Sequence, residues 1–178
     1  MPTTTIEIVD TAVKIGLGSL ITLVGTIAVA KLNHGNEKSR EERKRYYDSL
    51  ESIASDIEET THVALRYWAL VIEWVRNYQQ KGLGLTDKRQ EELEKTKLDL
   101  FDYFKNITVA ESKLMLLGLQ DQATLLREYG EFLKEMRRKY YDGNSQISES
   151  DLEECRNKLL QKRESLFKSL SGKYKDGL

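Results

Sequence analysis

The sequence predicts an all-α fold: one N-terminal transmembrane helix followed by an antiparallel bundle of about four helices, the first long and coiled-coil-like. Three observations carry this prediction. The single proline among 178 residues is Pro2, so no proline interrupts a helix further along. Residues 15–30 read IGLGSLITLVGTIAVA, with no charge between Lys14 and Lys31. Between Tyr47 and Tyr78 the apolar and small residues recur in alternating steps of three and four, the period of a coiled-coil seam.

Composition narrows the function classes. Lys plus Arg number 28 and Asp plus Glu 29, giving a net charge of -1, which argues against a general nucleic-acid binder. Charged residues make up 32% and the hydrophobic set 39%, low for a chain that is all globule. The sequence lacks the short alternating strands and closely spaced turns of an all-β protein. One cysteine, Cys155, excludes an internal disulfide framework and a zinc cage. Two histidines, His34 and His62, leave little for metal or acid–base chemistry. No P-loop or dinucleotide fingerprint is present, and Gly16 and Gly18 sit inside the apolar run rather than in a phosphate loop.

The apolar run is the first element. As a helix its uncharged core covers about 24 Å at 1.5 Å per residue, short of the roughly 30 Å hydrocarbon thickness. Lysine stems lying along lipid, and an upstream turn of Thr11, Ala12 and Val13, bring it to spanning length. The division is therefore a short extracytoplasmic tail over 1–10, a transmembrane helix over 11–32 and a cytoplasmic body over 33–178. A buried core helix would carry a polar stripe, which this run lacks beyond Ser and Thr. Ala28-Val29-Ala30 offers an export-signal reading, with cleavage after Ala30. A signal, however, wants a basic start, and the first 13 residues hold Glu7 and Asp10 and no Lys or Arg.

Orientation follows from the flanking cations. Lys14 precedes the uncharged run over 15–30, whereas Lys31, Lys38, Arg40, Arg43, Lys44 and Arg45 follow it. The positive-inside bias puts the body in the cytoplasm and the N-terminus outside. Glu37, Glu41 and Glu42 are mixed among these cations, as on a solvated helix start. Gly18, Thr22 and Gly25 share one face of the span and would allow close helix approach, without a strict GxxxG.

The body divides into helices over about 36–80, 87–118, 121–142 and 148–171. A break is expected at Asn33-His34-Gly35-Asn36. The first seam is Tyr47, Leu50, Ala54, Ile57, Thr61, Ala64, Trp68, Val71, Val75 and Tyr78, and Ile53, Leu65, Tyr67, Ile72 and Trp74 widen it. A face this wide calls for more than one partner helix. Gly82 is expected to end this helix in a left-handed cap. The second seam is Leu93, Leu100, Phe104 and Ile107, interrupted by Lys97. The capping-box spacing at Thr108 and Glu111 predicts a kink or restart before a greasy turn, Leu114-Met115-Leu116-Leu117, and an end at Gly118. Asp121 is expected to cap the third helix, with Leu126, Tyr129, Leu133, Met136 and Tyr140 as its seam. Ser148 with Asp151 and Ile147 with Leu152 have capping-box and hydrophobic-staple spacings for the fourth. Its face is Leu152, Cys155, Leu159, Leu166 and Leu170, and the tail after Ser171 is expected to fray. Because the first helix is the longest, part of its seam is free for self-association, a partner protein or the membrane.

Candidate chemistry is sparse. Glu59 and His62 have the Glu-x-x-His spacing of di-metal bundles, but the four helices expected over 36–171 hold no second histidine to complete the set. Cys155 on an apolar helix face reads as a small core residue. Tyr67, Trp68, Trp74 and Tyr78 are residue types enriched at binding hot spots, set against the simpler reading of core packing. Asn106-Ile107-Thr108 matches a glycosylation sequon that matters only for an exported body.

In its order of features the chain resembles small bacterial single-pass membrane-anchored helical proteins. The segment carrying the likeness is AESKLMLLGLQD, residues 110–121, followed by the helix over 122–141. The resemblance implies a bacterial inner-membrane setting and transfers no catalytic residue. The expected function is a non-enzymatic interaction or scaffold protein on the cytoplasmic face. The expected partners are membrane lipid and either self-association or a protein bound through the long helix. No cofactor, metal, nucleic acid or small-molecule substrate is expected. The alternatives are an oligomerising membrane effector, pore-forming or serving envelope stress or defence, and an exported helical protein.

Overall fold

A computed structural model describes the side chains of residues 39–177. The chain is all-α: α1 (Thr5–Lys81), α2 (Asp87–Leu116), α3 (Gln120–Lys139) and α4 (Glu149–Asp176). The expected span over 11–32, the residues Gly18, Thr22 and Gly25, the cations Lys14, Lys31 and Lys38, and the expected break at 33–36 lie outside the described residues. Among the described residues no helix is long and apolar enough to cross a membrane.

Two compact units divide the chain, Met1–Arg45 and Tyr46–Leu178. The described part of the first, 39–45, is helical and exposed, so Arg40, Arg43, Lys44 and Arg45 all face solvent. Arg45 pairs with Glu41 one turn away at 2.5 Å.

The second unit is a four-helix bundle. Its cross-helix contacts give the topology. Arg66 of α1 meets Glu92 of α2, and Lys113 further along α2 meets Ser52. Glu111 of α2 pairs with Arg127 of α3, and Gln122 of α3 donates to Ser169 of α4. Glu51 and Arg76 of α1 meet Tyr174 and Glu149 of α4 respectively. Each consecutive pair is antiparallel, and α4 returns beside α1, which closes an up-down-up-down bundle.

The core follows the 3.5-residue pattern. Ile57, Ala64, Val71, Leu93, Leu100 and Leu126 are among the side chains with no measurable exposure. Ile53, Tyr67, Ile72 and Trp74, which widen the α1 face, are also buried. This face needs its width because α1 packs between α2 and α4 and across from α3. Among the described residues every buried side-chain nitrogen or oxygen has a hydrogen-bond partner.

Helix ends differ from the sequence reading in four places. The restart expected at Thr108 does not form: α2 runs on to Leu116, and the Thr108 hydroxyl donates to the Phe104 carbonyl at 3.1 Å within the same helix. Ile107, Ala110 and Leu114 are buried together, so packing carries the helix through the capping-box spacing. The α2 end is a Schellman turn, with Gly118 at φ 73°, its N–H on Met115 and the Leu119 N–H on Leu114. Asp121 is not the cap of α3; Leu119 holds that place and Asp121 falls in the first turn, where its charge suits the positive helix end. α3 closes at Lys139 rather than near residue 142. The α4 tail continues to Asp176, past Ser171.

The start of α4 has the expected form. The Ser148 hydroxyl accepts from the Asp151 N–H while Asp151 accepts from the Ser148 N–H, and Ile147 and Leu152 are both buried. α3 has 20 residues against 30 in α2 and 28 in α4, so it leaves one corner of the bundle unfilled. The connection after it fills that corner: Tyr140 and Ile147 are buried, and the Tyr67 hydroxyl donates to the Tyr140 carbonyl at 2.6 Å.

Candidate functional site

Of the four aromatics proposed for partner binding, Tyr67 and Trp74 lie in the core and Trp68 is half-buried. The Trp68 indole N–H donates to the Leu152 carbonyl at 2.7 Å, and the Arg156 guanidinium lies 5.4 Å from its ring centre. Burial and these partners make Trp68 part of the α1–α4 seam. Tyr78 alone of the four is exposed, at 44%, stacked on Trp74 with ring centres 5.1 Å apart. It stands at the end of the bundle with the exposed Leu83 and the half-buried Leu85, while Gly84 leaves room beside the Trp74 ring.

Glu59 and His62 both face solvent. Among the described residues no three His, Cys, Asp or Glu side chains come together as a metal site would require. Cys155 is buried, and burial pushes its thiol up to about 11; the nearby Lys139 and Lys158 pull the other way without offsetting it. The thiol is therefore protonated at neutral pH.

The bundle leaves three apolar features on its surface. The outer side of α2 carries Leu98, Phe101, Val109 and Leu116, all exposed and on the side of the helix away from Leu93, Leu100 and Ile107. The last turn of α2 exposes Met115 at 39% and Leu116 at 87%. This turn lies at the end where the chain enters the bundle at Tyr46, since Lys113 reaches Ser52. The third feature is a trough between α3 and α4. It consists of two adjoining cavities of about 480 and 460 Å³ that share Phe132 and Lys158.

Comparison of the chain with protein-family models, with curated proteins and with solved structures found no match. The functional reading therefore rests on the residues themselves.

The greasy turn was visible in the sequence as Leu114-Met115-Leu116-Leu117, although periodicity alone did not separate the buried Leu114 from the exposed Leu116. The trough was missed. Its signal is a second stripe on α3, Leu125, Glu128, Phe132 and Lys139, running beside the core seam at steps of three, four and seven. On α4 the matching stripe is Cys155, Lys158, Lys162 and Ser165.

Proposed function

We propose that this chain is a non-enzymatic, single-pass membrane-anchored helical module that works as an interaction or scaffold protein on the cytoplasmic face of a bacterial inner membrane. The observation that carries the reading is the uncharged run over 15–30, with one lysine before it and six cations from Lys31 to Arg45 after it. Arg40, Arg43, Lys44 and Arg45 are solvent-exposed, as cations meeting anionic headgroups need to be. The apolar side chains left on the α2 outer side, and at the Met115–Leu116 turn, supply surface for a protein partner or a second copy.

The test is fractionation of cells expressing the full chain, followed by protease treatment of spheroplasts. The reading expects the protein in the membrane pellet after alkaline carbonate extraction, with the bundle protected from external protease. Recovery of full-length protein in the carbonate supernatant would overturn the anchor. Digestion of the bundle from outside would overturn the orientation. Crosslinking in native membranes then identifies the partner.

A second reading, an oligomerising membrane effector, draws on the shared face of Gly18, Thr22 and Gly25. Replacing Gly18 and Gly25 with Leu separates the two: loss of both oligomers and membrane leakage favours the effector.

A further inference from the structure

We draw no further inference here: the strongest candidate, the exposed apolar stripe of Leu98, Phe101, Val109 and Leu116 on the outer side of α2, carries nothing because the charges along it, Lys95, Asp99, Asp102 and Lys105, are of both signs and nothing in the structure shows what covers it.

Discussion

The Thr61 hydroxyl of α1 lies 2.6 Å from the Tyr129 hydroxyl of α3, with both residues buried. Thr61 also donates to the Ile57 carbonyl at 2.7 Å, which uses its only proton. Tyr129 must therefore be the donor between them. Burial pushes the Tyr129 phenol up to about 12, so it keeps this proton at any physiological pH. The order of two substitutions follows. Tyr129→Phe removes the donor and leaves Thr61 still bonded to Ile57, at a cost of about 1 kcal/mol. Thr61→Val strands a buried phenol without an acceptor and costs about 1–3 kcal/mol. Urea unfolding of both variants checks the ranking, and a milder Thr61→Val would reverse the assignment of donor and acceptor.

Lys97 explains its own interruption of the α2 seam. Its ammonium contacts Asp142, in the connection after α3, at 2.7 Å, and Gln90 donates to the same carboxylate at 3.0 Å. Burial alone would raise the Asp142 carboxyl, but the hydrogen bonds from Lys97 and Gln90 together outweigh it and hold the group below its usual range. Burial likewise acts to lower Lys97, and its bonds to Asp142 and Glu94 more than reverse that. A carboxyl depressed by folding stabilises above its unfolded value, about 3.9, and that contribution fades as pH falls through the folded value. A raised lysine stabilises below its unfolded value and loses the contribution only as pH climbs through the folded one. Asp142→Asn should thus cost about 1–2 kcal/mol at neutral pH and much less at an acid pH below the native carboxyl's own lowered value, where that group is protonated too. An equal cost at both pH values would mean that the ion pair contributes nothing.

These two contacts mark what periodicity could and could not supply. Steps of three and four located Ile57, Ala64, Leu100 and Leu133, because a side chain's face depends only on its own helix. The partner of Lys97 lies 45 positions away in a connection, and no local pattern points to it. The same limit applies to the α3–α4 trough, which exists only where two stripes from different helices meet. Capping is intermediate. Ser148 and Asp151 formed the box their spacing implied, whereas Thr108 and Glu111, with the same spacing, lie inside a helix because Ile107, Ala110 and Leu114 pack continuously. Tyr67 and Trp74 are buried, as the core-packing reading of them has it, although periodicity alone leaves the choice open because a wide apolar face can meet a core or a partner.

Cys155 should be a slow nucleophile. Its thiol is pushed up to about 11 by burial, against about 8.5 for a free cysteine. The thiolate fraction at mildly alkaline pH is then several hundredfold below that of an exposed cysteine, by the tenfold change per unit. Iodoacetamide alkylation followed by intact mass should proceed at least a hundredfold slower than on a cysteine peptide, with a rate still rising beyond about pH 10. A plateau near about pH 8.5 would show that the thiol samples open solvent.

The end of α4 tests packing against local propensity. Gly172 is a weak helix former and the residues around it are polar, conditions that favour fraying. Three contacts to α1 hold the helix instead. The Tyr174 hydroxyl donates to Glu51 at 2.8 Å, the Tyr174 ring meets Tyr47 edge-on at 4.9 Å, and the Tyr46 hydroxyl donates to the Lys173 carbonyl at 3.3 Å. The aromatic pair is worth about 0.5–1 kcal/mol and the partly exposed hydrogen bonds less. Tyr174→Ala should therefore lower stability by about 1 kcal/mol, and trypsin should cut at Lys173 and Lys175 faster in the variant than in the parent. Tyr174→Phe keeps the ring contact and loses only the bond to Glu51, so most of the protection should survive. If all three proteins are cut at the same rate, the last turn opens freely and the contacts to Tyr46 and Tyr47 do not hold it.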